Sequence, residues 1–295
     1  MGPDAPWSRR FVGWLRERFP PVVYTILVVL FHGSAVLVAH AFGGGDRLAL
    51  AAVVVVWLFF LHLRIFDEHK DYAEDIVAYP GRLLSRGVVT LPLLARVGAV
   101  AIVVQAVLAA LLGRWAFLAW AAAALFSVAM RYEFGVGRWL NRHIVLYAVT
   151  HNPVVAGLAV FLYAAAGARW DWAYLWYVGV ASLGSLAFEF GRKTRRSEEE
   201  HAGVPSYTTE LGQGPARALL GATYVATWGC VSGLFYALGV RDPWPVVLGL
   251  AVVLPGLLTV PGHQPAKRVE LGASLVLLVS FLVCGTVAWG VSWSP

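Results

Sequence analysis

Nine long apolar runs, separated by short polar connections, constrain this chain more than any other feature. They lie at about 22–43, 49–66, 90–112, 115–131, 143–165, 172–190, 216–238, 244–261 and 269–292. A hydrocarbon core about 30 Å thick takes roughly 20 residues of helix, and within it every backbone polar group needs an internal partner. The hydrophobicity is continuous rather than alternating, which excludes strands of the outer-membrane barrel type. The expected fold is an all-α integral membrane protein with nine transmembrane helices around a central cavity. Composition agrees: the chain is 59% hydrophobic and 14% charged, against about 45–50% and about 25% in soluble domains. Cys230 and Cys284 both fall inside apolar runs, so neither a disulfide scaffold nor a thiolate zinc site is open to it.

The basic residues set the orientation. With a cytoplasmic N-terminus, 19 of the 23 fall on the inner side, leaving Arg47, Arg114, Arg169 and Arg241 outside. That split follows positive-inside sorting, and it places the chain in the cytoplasmic (inner) membrane with its C-terminus outside. It also marks the charges as loop signals rather than a nucleic-acid patch. Residues 1–21 read as a separate leader, in which Trp7, Phe11, Trp14 and Leu15 alternate with Arg9, Arg10, Arg16 and Arg18. The pattern predicts an amphipathic helix on the inner face, turned into the first span by Pro20-Pro21. Residues 22–295 then form a single domain. A cleaved signal ending near Ala39-His40-Ala41 is set aside, because the preceding stretch is too long and eight more runs follow.

The polar mass is unequal. Outer connections are short, whereas loops at about 64–89 and 189–215, after the second and sixth spans, are long and charged. In the first, Asp67, Asp71 and Asp75 are spaced i, i+4, i+8 and share one helix face, about 6 Å apart per turn. Aligned carboxylates repel unless a cation lies among them, and a hard ion such as Mg²⁺ takes oxygen ligands of this kind. Pro80-Gly81 then ends the helix, and Arg82 and Arg86 return over the carboxylates. The planar guanidinium suits phosphate. Acidic rung, turn and arginines together point to a metal–diphosphate site.

This segment resembles the first signature of the UbiA-type intramembrane prenyltransferases, N-D-x-x-D-x-x-x-D followed by R-P-x-R-P-x-P-S-G. Asp67 stands at the Asn position and Glu68 at the first Asp. Asp71 and Asp75 match the later two Asp, Arg82 the second Arg and Gly87 the closing Gly, while Tyr79 replaces the first Arg. Nine spans with long loops after the second and sixth are similar to that family as well. In the second loop, Gly203-Val204 and Leu211-Gly212 resemble the end of the family's other acidic motif and put Glu199 on its last Asp. Arg192 and Arg195 occupy positions where further Asp would stand. Glu189, Lys193 and Arg196 are expected on one helix face, with Arg192 beside them. Glu189 and Glu199 are the carboxylates left for a second metal, while Arg192, Lys193 and Arg196 could take the diphosphate directly. Tyr132 and Arg138 are the nearest analogue of the family's Tyr-x-x-x-Lys.

Ionisable groups at membrane depth are functional suspects. His32, Ser34 and His62 lie in the first two spans, and Thr150-His151-Asn152-Pro153 interrupts the fifth. His151 is about 12 Å from the inner end of its span, where it or Asn152 could orient an acceptor or take a proton. A histidine satisfied by a neighbouring helix is the competing reading for all three histidines.

The resemblance implies Mg²⁺-dependent ionisation of a polyprenyl diphosphate. Metal at Asp67, Asp71 and Asp75 and cations at Arg82, Arg192 and Lys193 would hold the departing diphosphate, with the prenyl tail among the lipid-facing spans. The cation is captured either by a lipophilic, aromatic-type acceptor or by the chain's own double bonds, as in terpene cyclases of this fold. A non-enzymatic lipid carrier is disfavoured by the retained acidic rung.

Overall fold

The computed structural model describes residues 4–44, 49–200, 205–260 and 264–292; Arg47 and Gly203-Val204, used above, lie outside them. Among the described residues the regular structure is entirely helical. Over its described residues each of the nine apolar runs is mainly helical. Among the described residues, six helical stretches are long and apolar enough to cross a membrane: Pro21–Ala41, Leu50–Lys70, Leu91–Leu111, Ile144–Ala165, Gln213–Ala237 and Ala266–Ser292. Trp244–Leu257 is apolar but shorter. Arg114–Arg131 carries an arginine at each end, and Leu175–Arg192 contains Ser, Gly and Glu, so both fall outside the six.

The chain divides into two compact units, Met1–Val29 with Ala49–Gly135, and Leu30–Leu48 with Val136–Pro295. The first holds α1 (Trp7–Arg18), the start of α2 (Pro21–Ala41), α3 (Leu50–Lys70), α4 (Tyr72–Ala78), α5 (Leu91–Leu111) and α6 (Arg114–Arg131). α3 packs along α5 and touches α6. Leader helix α1 forms as expected, and Trp14 is wholly buried in a core with Phe19, Leu61, Ile65, Leu84, Val89 and Leu94. Polar ties fasten the same helix to the loop before α5: Arg10 donates to the Val88 carbonyl at 3.3 Å, and Glu17 accepts the Leu83 N–H at 3.2 Å.

At membrane depth the first unit buries a polar chain. Trp120 Nε1 donates to Gln105 Oε1 at 3.2 Å, Gln105 Nε2 donates to His62 Nδ1 at 3.1 Å, and His62 Nε2 meets Ser127 Oγ at 3.1 Å. The order of donors fixes His62 as the Nε2–H tautomer. Each buried polar group is thereby paired, which ties α3, α5 and α6 together. For His62 the reading as a histidine satisfied by neighbouring helices is the one that holds.

The second unit holds the rest of α2, then α7 (Gly137–Leu140), α8 (Ile144–His151), α9 (Pro153–Ala165), α10 (Leu175–Arg192), α11 (Tyr207–Leu211), α12 (Gln213–Ala237), α13 (Trp244–Leu257) and α14 (Ala266–Ser292). α10 is central, packed against α9, α12 and α14, and α13 bridges α12 and α14. Small residues make these approaches possible, as is usual where lipid removes the hydrophobic drive between helices. A Cβ added to Gly191 would stand 2.5 Å from Ala273 Cβ, so α10 and α14 close to this distance only over glycine. Ser34, within the part of α2 assigned to this unit, shares a 2.6 Å hydrogen bond with buried Tyr177.

Candidate functional site

The first charged cluster grows from the end of α3. The helix does not run straight through the acidic rung: it bends at Asp71 (φ −92°, ψ 7°) and resumes as α4. The hydrogen-bond pattern survives, since Asp71 N donates to the Asp67 carbonyl and Asp75 N to the Asp71 carbonyl, both at 2.9 Å. The three carboxylates therefore follow one another along one side, but they have different partners. Lys70 Nζ stands 4.0 Å from Asp67 Oδ1 and 3.6 Å from Asp71 Oδ1, so two of the rung's carboxylates share one ammonium. Partial burial, with Asp67, Asp75 and Glu74 nearby, pushes the Asp71 carboxyl up to about 6 against the pull of Lys70.

Asp75 belongs to the arginines. Arg82 Nη1 donates to Asp75 Oδ2 at 2.5 Å and stacks over the Tyr79 ring at 3.6 Å. Pro80-Gly81 supplies the turn that brings Arg82 back, as expected from sequence. Arg18, from α1, reaches the same Asp75 oxygen at 3.5 Å. Glu68, at the position of the family's first Asp, is nearly inaccessible and is gripped by Arg18 Nε at 2.6 Å and Arg64 Nη2 at 2.8 Å. Arg86 is exposed on the same turn, its N–H bonded to the Arg82 carbonyl at 3.0 Å. Tyr132 closes α6, exposed, with Arg131 over its ring at 5.9 Å. Arg138 is exposed on α7.

The second cluster closes α10. Glu189 accepts from Arg192 Nε at 2.5 Å and from Lys193 Nζ at 2.9 Å. Arg196 does not share this face, contrary to the expectation from spacing. α10 ends at Arg192, where Thr194 Oγ1 bonds back to the Phe190 carbonyl at 2.8 Å, and Arg196 is extended (φ −81°, ψ 160°). Arg196 pairs instead with Glu199, its Nη2 at 3.3 Å. Glu199 also accepts the N–H of Arg196 at 3.1 Å and that of Ala266, the first residue of α14, at 2.9 Å. Desolvation would raise the Glu199 carboxyl, but these N–H donors and the guanidinium hold it below the usual carboxylate range. Glu189 and Glu199 are thus committed to different partners. Tyr207, at the start of α11, sends its N–H to the Lys193 carbonyl at 3.1 Å and sets its ring edge-on to Phe190. Burial, and the charge of Glu189, push its phenol well above the ordinary tyrosine range despite Arg192.

At the Pro153 break, His151 Nδ1 meets the Tyr147 carbonyl at 2.7 Å with the rings stacked, and Asn152 Nδ2 donates to the Ser182 carbonyl at 2.9 Å. Asn152 thereby fastens the α8–α9 junction to α10.

Whether a hard divalent cation fits can be judged from the donors. Mg²⁺ is commonly held by one or two carboxylates, with waters and phosphate oxygens completing its shell. Asp67 and Asp71 already converge on one ammonium, and burial first, then the neighbouring carboxylates, disfavour the charged form of Asp71 beyond what Lys70 offsets. They fit a two-carboxylate seat. Among the described residues, no three His, Cys, Asp or Glu side chains gather into a larger one.

Sequence reasoning missed Arg18 and Tyr207, and it read Lys70 only as a surface partner of a solvated helix end. Arg18 and Glu68 are 50 residues apart and carry no local signal for each other. Lys70, one residue before Asp71, had one: its position on the rung.

Comparison with known proteins adds the following. The model of the UbiA prenyltransferase family matches residues 22–273. No curated protein matches the sequence. One similar solved structure is described as giving structural and mechanistic insights into the biosynthesis of digeranylgeranylglyceryl phosphate synthase in membranes. It is 14% identical with a TM-score of 0.67, over 96% of this chain and 99% of that one. Another, the apo structure of a UbiA homolog from Aeropyrum pernix K1, is 20% identical with a TM-score of 0.66, over 89% and 96% of the two chains. At these identities the likeness is one of fold.

Proposed function

This chain belongs to the UbiA prenyltransferase family, and on that premise we propose that it ionises a polyprenyl diphosphate in the membrane and transfers the prenyl group to a lipophilic, aromatic-type acceptor, releasing diphosphate. The observation that carries the reading is that both charged clusters, Asp75–Arg82 with its neighbours and Glu189–Arg192–Lys193, fall inside the stretch that matches the family. The topology that goes with it has all nine apolar runs crossing the cytoplasmic membrane, with the N-terminus and both charged loops on the inner face.

Asp67 and Asp71 are the residues that would hold Mg²⁺, while Asp75 one turn further on holds Arg82. When bound, such a cation neutralises the diphosphate oxygens on which charge grows as the allylic C–O bond breaks. In the first unit one of the chain's own cations acts on the same charge. Arg82 is stacked on Tyr79 and paired with Asp75, so its planar fork is oriented before phosphate arrives and loses little freedom on binding it. In the second unit, Arg192 and Lys193 are phosphate donors in their own right, and each has Glu189 to return to when phosphate leaves. His151 directs Nδ1 at a carbonyl, so that nitrogen carries the proton and Nε2 holds the lone pair for an acceptor's proton. Asn152 keeps that break in place against α10. The apolar helices surround the prenyl chain and exclude water, which favours capture of the cation by the acceptor over hydrolysis.

The test is incubation of the purified protein with radiolabelled geranyl, farnesyl and geranylgeranyl diphosphates and Mg²⁺, with and without lipophilic aromatic acceptors. Prenylated acceptor, formed only with metal, is the expected product. A cyclic hydrocarbon or alcohol formed without acceptor would replace transfer by ring closure. Failure to release diphosphate from any of them would overturn the reading.

A further inference from the structure

Tyr207 is 1% exposed and its hydroxyl has no hydrogen-bond partner. Buried side-chain donors are nearly always paired, so an orphan one calls for a reason. Its backbone is held on two sides. Ser206 caps the short helix it begins, and its own N–H reaches the Lys193 carbonyl at 3.1 Å. The ring is set against Phe190 at 4.9 Å, and the charges of Glu189 and Arg192 both bear on the hydroxyl. The phenol is therefore not an ordinary core residue with a polar tip left over. Its tip lies within the electrostatic reach of Glu189 and Arg192, yet Glu189 takes both Arg192 and Lys193 and leaves the hydroxyl without a share.

A ligand that draws Arg192 and Lys193 to itself changes this arrangement. A diphosphate carries many acceptor oxygens and no donor, so it can engage both cations and still accept from a phenol. Tyrosine fits such a role because a rigid ring leaves its hydroxyl little freedom to lose. We propose that Tyr207 is a further binding residue of this site, donating a hydrogen bond to the diphosphate held by Arg192 and Lys193; the proposal rests on the function proposed above.

The experiment is a calorimetric titration of inorganic diphosphate, with Mg²⁺, into the full-length protein and into Tyr207→Phe in the same detergent, alongside thermal unfolding of both without ligand. Loss of one hydrogen bond to a charged acceptor predicts affinity weaker by about tenfold or more. Removal of an unpaired hydroxyl predicts a ligand-free Tm equal to or above the parent's. That opposite pair of effects separates binding from packing. Affinity equal to the parent's would overturn the proposal, and so would weakened affinity accompanied by a lowered Tm. Failure of the parent protein itself to bind diphosphate would overturn the function proposed above, and Tyr207's part in it.

Discussion

Arg18 Nε donates to Glu68 Oε1 at 2.6 Å, joining the leader helix to the end of α3 across 50 residues of sequence. The carboxylate is only 1% exposed, and Arg64 holds the same oxygen at 2.8 Å. Removing one partner of a buried pair strands the other charge, at a cost of about 3–5 kcal/mol. Glu68→Ala strands two arginines and is expected to reach that range. Arg18→Ala leaves Arg64 in place, so its cost is expected near 2 kcal/mol, still well above an exposed pair's. Denaturant unfolding of both variants in one detergent checks the order. Equal and negligible losses would show that the leader is held by Trp14 and its apolar neighbours alone.

Asp71 sets a pH dependence of opposite sign to that of an ordinary salt-bridged aspartate. Its carboxyl titrates near 6 in the folded chain, against about 3.9 when unfolded. Between these values the folded state binds more protons, so stability falls as pH rises from about 4 to about 6 and stays lower above that. The group is half-exposed, and solvent screening reduces the effect to about 1 kcal/mol. Asp71→Asn should flatten that part of the curve, by about 2 °C in Tm between pH 4.5 and 7. An unchanged slope in the variant would place the proton elsewhere.

Arg192→Ala and Lys193→Ala separate the two halves of the proposed chemistry. If these cations bind diphosphate before and during bond cleavage, KM for the prenyl diphosphate should rise by about ten- to a hundredfold, with kcat falling less. Steady-state kinetics with saturating acceptor make the comparison. A fall in kcat at constant KM would assign them to the transition state alone.

Much of the fold was legible because membranes enforce a simple rule. Apolar runs in lipid must be helical; over their described residues all nine runs are mainly helical, and six helices are long and apolar enough to cross a membrane. The acidic rung was legible because it is local: its i, i+4 spacing survives the bend at Asp71 through two unbroken backbone hydrogen bonds. The Pro80-Gly81 turn delivered Arg82 as its residues promised. Arg196 shows where locality misleads. Spacing put it on the face of Glu189, but the helix ends at Arg192, Arg196 is extended, and its side chain went to Glu199.

By itself, then, the sequence determined a helical membrane protein and the two loops where charge collects, because hydrophobic run length and charge placement act within one element at a time. Only the tertiary structure decided which charges meet. Glu68 became the anchor of a leader helix, Lys70 the shared counter-ion of two carboxylates, and Tyr207 a buried hydroxyl beside a closed ion cluster. The Arg18–Glu68 pairing depends on how distant segments approach, whereas Lys70 meets Asp67 and Asp71 within its own stretch of helix. An ionic contact is made or missed over a few ångströms, a distance that packing sets and residue spacing does not.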